Sequence, residues 1–93
     1  VTTLDLKARL LELLADAPEL YVLLCREGLL PEDDTALSRE HVETARVAHT
    51  LVQELEVNWP GVEVILRMRT ELIATRRQIA ALAQLLRERQ EPR

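Results

Sequence analysis

Ninety-three residues with a formal net charge of −4 suit one small domain, and a chain this short buries only a modest share of its surface alone, so a second subunit is a natural source of further burial. Apolar residues make up 47% of the chain and aromatic ones 2%, Tyr21 and Trp59, and the weight of Leu, Ala, Val, Glu and Arg predicts helices packed through aliphatic side chains. The single cysteine, Cys25, excludes an intramolecular disulfide and fits a reducing compartment, while the absence of a leader-like start or of an apolar run of membrane-spanning length predicts a cytoplasmic protein with no membrane partner.

The first predicted element is LDLKARLLELLA, a helix with Leu4, Leu10, Leu11 and Leu14 as its apolar stripe and Lys7, Arg9 and Glu12 toward water. Asp16-Ala17-Pro18-Glu19 then has the form of a helix start, with Asp16 as cap, Pro18 in the first turn and Glu19 three residues after the cap. The second helix, ELYVLLCRE, ends at Gly28 and is expected to bury Leu20, Leu23, Leu24 and Cys25. No activating charge or resolving cysteine stands near Cys25, which reads as a small core residue without chemistry of its own.

Six residues, Glu32-Asp33-Asp34-Thr35-Ala36-Leu37, join Pro31 to Ser38. Ser38 is the predicted cap of a third helix running from about Arg39 to Glu56, with Val42, Ala45, Ala48 or His49, Val52 and Leu55 inward. His41 and His49 stand two turns apart with no cysteine or carboxylate set to complete a metal site, so no metal, cofactor or catalytic residue is expected. From Asp16 to Arg46, three basic residues (Arg26, Arg39, Arg46) face eight acidic ones, a balance of −5, whereas from Pro60 onward seven arginines face four glutamates, a balance of +3.

The chain turns within LVQELEVNWPGVEVIL, residues 51 to 66. Val57-Asn58-Trp59-Pro60-Gly61 interrupts the helical periodicity, Asn58 can cap the next helix, and Pro60 is tolerated in a first turn whose N–H groups lack intrahelical partners. A head over residues 1–59 and a long helix over 60–93 are therefore expected within one structural domain. That helix carries Ile65, Met68, Leu72, Thr75, Ile79, Leu82 and Leu86 at alternating spacings of three and four, a heptad seam that predicts a homodimer. A second stripe of Leu66, Ile73 and Ala80 lies beside it.

Two stretches carry a family resemblance. Arg26-Glu27-Gly28-Leu29-Leu30-Pro31 and the run from Glu54-Leu55 through Val57-Asn58 to Gly61-Val62-Glu63-Val64-Ile65-Leu66 are similar to the corresponding parts of MerR-like proteins. Within that group the chain most resembles the heat-shock-linked branch, which includes repressors of heat-shock operons and the small chaperone modulators of the CbpM type. The resemblance spans roughly Pro18 to Leu86 and implies an all-α architecture: a helix-turn-helix head with a reduced wing, followed by a long dimerisation helix. The wing is where the chain departs from DNA-binding members, since no Arg-rich strand pair with Gly-Tyr-Arg fits between Pro31 and Ser38.

Three function classes meet these features unequally. An enzyme finds no support, because the chain offers no nucleophile beside a base, no phosphate-cradling glycine loop and no metal set. A MerR-type regulator of heat-shock genes needs basic side chains where the head docks, and that region is acidic, so DNA is not an expected partner. The resemblance to chaperone modulators implies a module that binds the J-domain of a DnaJ-family co-chaperone and regulates its cooperation with the Hsp70 DnaK, as inhibitor or assembly factor. Glu32, Asp33, Asp34, Glu40 and Glu43 are then the expected partner-binding carboxylates, complementary to a basic J-domain helix.

Overall fold

The structure, a computed structural model, describes residues 2–90. It is all-α: α1 (Thr3–Leu13), α2 (Pro18–Arg26), a 3-10 turn (Asp34–Ala36), α3 (Arg39–Gln53) and α4 (Trp59–Gln90), with no strand among the described residues. The chain divides into two units, Val1–Val62 and Glu63–Arg93.

In the first unit α1 packs on α3 and on the 3-10 turn, and α2 packs on α3. Thr2 and Asp5 close a capping box at the start of α1, each backbone N–H donating to the other's side chain at 3.2 Å. Leu10 and the cap residue Leu14 are buried as expected, but Leu6 completes their row in place of Leu4 and Leu11, which are 81% and 51% exposed. At about 100° per residue, Leu4 and Leu11 project well to one side of the i, i+4, i+8 row that faces α3.

The start of α2 also differs from expectation. Its cap is Ala17, which makes no side-chain hydrogen bond, while Pro18 holds the first helical position. Asp16 instead reaches across the unit to His49 on α3, Oδ1 to Nε2 at 2.9 Å. Leu20 and Leu24 are buried as expected, but Leu23 and Cys25 are only half-buried. The helix closes through a Schellman arrangement: Gly28 lies at φ +75°, its N–H donates to Cys25 O at 3.1 Å, and Leu29 N–H donates to Leu24 O at 2.9 Å. Nothing crowds a Cβ at Gly28, so its left-handed backbone is what calls for glycine there.

Ser38 caps α3, and the residue that completes the box is His41: Ser38 N–H donates to His41 Nδ1 at 3.0 Å, and Ser38 Oγ accepts from His41 N–H at 3.4 Å. Val42, Ala45, Ala48 and Leu51 form the buried face, with the two alanines fully enclosed, which lets α3 approach its neighbours closely. The helix stops at Gln53, short of the expected Glu56, and Leu55 is 63% exposed rather than inward. The physical reason is local: Val57 N–H turns back to Leu51 O at 2.9 Å, with Glu56 at φ 55° making the bend.

Asn58 Oδ1 accepts from Gly61 N–H at 3.0 Å and so caps α4, with Pro60 in the first turn. At Gly61 an added Cβ would stand 2.8 Å from Val57 Cγ1, so the Val57 side chain would have to shift to admit one. The helix runs 32 residues, about 48 Å at 1.5 Å per residue. Over the second unit its apolar side chains are largely open: Met68 is 62% exposed, Ile79 59% and Leu82 60%.

Candidate protein-binding surfaces

The expected acidic surface begins where α2 hands the chain to α3. Glu32, Asp33, Asp34, Glu40 and Glu43 are all exposed, yet they are not equivalent. Asp33 caps the 3-10 turn, accepting from Thr35 N–H at 3.0 Å, and that backbone hydrogen bond lowers its carboxyl below the ordinary range. Asp34 is bound to Lys7 at 3.0 Å. Lys7, expected in water, is part-buried and also donates to the Tyr21 hydroxyl at 2.8 Å, with its ammonium 5.4 Å from the Tyr21 ring centre. The Tyr21 hydrogen bond, then that to Asp34, raises the Lys7 ammonium above its ordinary value. Local charge at Asp34 is therefore neutralised by the protein itself.

Glu43 lies in a different setting. It pairs with Arg46 at 3.5 Å and lines, with Arg9, Arg39 and Arg46, a groove of about 260 Å³ floored by Leu6 and Val42. Of the five carboxylates, Glu32 and Asp33 sit together on the loop, Asp34 is clasped by α1, Glu40 is on the first turn of α3, and Glu43 belongs to an arginine-lined groove. Linear spacing carried no sign of these partners, which lie 14 and 27 residues from Lys7.

The second surface is α4. Ile65, Met68, Leu72, Thr75, Ile79, Leu82 and Leu86 are all exposed, and Ile65 to Thr75, with Arg69 and Glu71, line a shallow trough of about 640 Å³. Exposed aliphatic residues at heptad positions along a helix of this length form a contiguous apolar face of the kind that marks a contact site.

A third surface was not anticipated. Leu20, Leu23, Val52, Val57 and Trp59 floor a groove of about 260 Å³ between the start of α2 and the end of α3, with Asp16 and Glu19 on its rim. The Asp16–His49 hydrogen bond links the same two elements across 33 residues, a pairing no local pattern announces.

Among the described residues no group of three or more His, Cys, Asp or Glu side chains could hold a metal ion, and no helix is long and apolar enough to cross a membrane. Compared with family models, with characterised proteins and with solved structures, the chain matches none.

Proposed function

We propose that the chain is a cytoplasmic protein-binding module of the chaperone-modulator kind: a MerR-like helix-turn-helix head with its wing reduced to one 3-10 turn, dimerising through α4. It binds the J-domain of a DnaJ-family co-chaperone and regulates that protein's cooperation with DnaK. The observation that supports this reading is the link between α2 and α3, a short turn with exposed carboxylates, where a MerR-like DNA-binding head would be expected to carry a basic wing. Electrostatic complementarity to a basic helix draws on Glu32 and Asp33, with Asp34 contributing less because Lys7 pairs with it.

A MerR-type DNA-binding regulator is the second reading. It has one observation in its favour, the convergence of Arg9, Arg39 and Arg46, which could meet a phosphate. Glu43 within the same groove and the acidic balance of the head oppose it. The deciding experiment is a pull-down from native cytoplasm with the full chain, followed by binding of the recovered partner in purified form. Recovery of a J-domain protein that binds directly supports the modulator; sequence-dependent duplex binding near physiological salt, with no J-domain protein, supports the regulator instead.

A further inference from the structure

Through Val62 the chain carries five basic side chains against twelve carboxylates, a balance of −7, yet three of the five, Arg9, Arg39 and Arg46, line one groove. Lys7 is occupied elsewhere, by Tyr21 and Asp34. Within the groove, of about 260 Å³, the three arginines meet one carboxylate, Glu43, for a local balance of +2. Among the described residues Arg46 has that carboxylate as a partner, at 3.5 Å, while Arg9 and Arg39 have none. Guanidinium groups held together in this way repel one another, and an anion placed between them is attracted by all three.

The packing of α1 on α3 builds this groove. Arg39, Val42, Glu43 and Arg46 share one face of α3 at helical spacings of three and four, and Leu6 and Arg9 meet them from α1. Arg39 and Arg46 are seven residues apart, about 10 Å along the helix, with Glu43 between them. A second recess, of about 380 Å³, shares Arg9, Val42 and Arg46 with the first and adds Glu12 and the half-buried Leu13.

Those spacings choose among anions. A DNA backbone has no hydrogen to donate to Glu43 and sets further negative charge against it. An extended peptide meets both signs: carboxylates at i and i+3, about 9 Å apart along a polyproline II segment, span Arg39 and Arg46, and the N–H and hydroxyl groups between them donate to Glu43. We propose that the groove binds a short acidic peptide segment of a partner protein, its two carboxylates on the arginines and an adjoining aliphatic residue on Leu13. Arg9, which lines both recesses with Arg46, shares the second carboxylate. This contact is independent of J-domain binding, which the article's function assigns to carboxylates of the α2–α3 link and which calls for a partner of opposite charge.

The test is the fluorescence anisotropy of a fluorescein-labelled Gly-Leu-Glu-Ser-Ser-Glu-Leu-Gly peptide titrated with the full chain. Its palindromic order serves either direction of binding. The same peptide with both glutamates replaced by glutamine is expected to bind at least about tenfold more weakly. Arg9→Gln and Arg39→Gln are each expected to weaken binding about fivefold, while Arg26→Gln, on α2, leaves it within about twofold. All three arginines are exposed, and unchanged helicity confirms that the variants fold. The proposal is overturned by no saturation up to about 1 mM chain, by equal binding of the glutamine peptide, or by Arg9→Gln and Arg39→Gln that bind as the native chain does. A labelled DNA duplex that binds more tightly than the peptide at the same salt also overturns it and makes the groove a phosphate site. The expected pattern upholds the groove whether or not a J-domain protein binds elsewhere on the chain.

Discussion

Lys7 Nζ lies 3.0 Å from Asp34 Oδ1 across 27 residues of sequence, and this contact ties the acidic α2–α3 link to the first helix. It sets how much negative charge the link presents to a partner. Lys7→Met removes the clasp, frees the Asp34 carboxylate and adds one unit of net negative charge. The stability cost is expected to stay within about 1 kcal/mol, as for exposed ion pairs. Association with a basic J-domain is expected to become faster and more salt-sensitive, measurable by stopped-flow at two ionic strengths.

The same contact predicts a pH dependence. Tyr21 first, and Asp34 second, hold the Lys7 ammonium above its ordinary value. A group raised on folding stabilises the fold fully below its ordinary value, and that contribution disappears as pH rises through the raised one. Asp33 runs the opposite way: its carboxyl is lowered by Thr35 N–H, so its contribution is present above the ordinary aspartate value and is lost as pH falls through the lowered one. Thermal melts of native, Lys7→Met and Asp33→Ala chains are expected to converge at the alkaline extreme for Lys7 and at the acid extreme for Asp33. Differences that persist unchanged across both extremes would contradict these assignments.

Two backbone positions predict shifts of opposite sign. Glu56 occupies φ 55°, where a side chain costs about 1–2 kcal/mol, so Glu56→Gly is expected to stabilise by about 0.5–1 kcal/mol after its larger unfolded-state entropy is counted. Gly28 occupies φ 75° in the turn that closes α2, so Gly28→Ala is expected to destabilise by about 1 kcal/mol or more. Urea titration of the two variants measures both, with the slope checked for constancy.

The proposed partner surface can be divided by neutralisation. Asp33→Asn keeps a capping oxygen and Asp34→Asn removes a charge already paired, so neither is the most sensitive probe. Glu32→Gln is expected to slow J-domain association and flatten its salt dependence, while Glu43→Gln, beside Arg46, changes both less. Equal effects from Glu32→Gln and Glu43→Gln would show that the arginine-lined groove does not screen Glu43.

The seam predicts its own outcome. Leu72→Asp or Ile79→Asp places a charge in the face of α4, at a cost of several kcal/mol once that face is desolvated in a dimer. Helicity of the head is expected to survive while sedimentation shows monomer. A dimer unchanged in both variants would remove this face from the interface.

Residue order alone was sufficient for the helices and most of their ends, because caps and breaks are short-range chemistry. Ser38 stands next to the helix it caps, Asn58 is three residues from the N–H it accepts, and Gly28 supplies the left-handed residue that its own turn requires. The heptad of α4 was legible for the same reason, as a period along one helix. Tertiary structure decided which face of α1 is buried, since Leu4 and Leu6 are equally apolar and only the position of α3 separates them. It also turned Asp16 from a cap into a partner of His49, and Lys7 from a solvated lysine into the clasp on Asp34. Those pairings join residues 33 and 27 positions apart, and the groove beside Trp59 is assembled from α2, α3 and the turn after it. Local periodicity carries no term for contacts of that range, which arise only when packed helices bring distant side chains within hydrogen-bond reach.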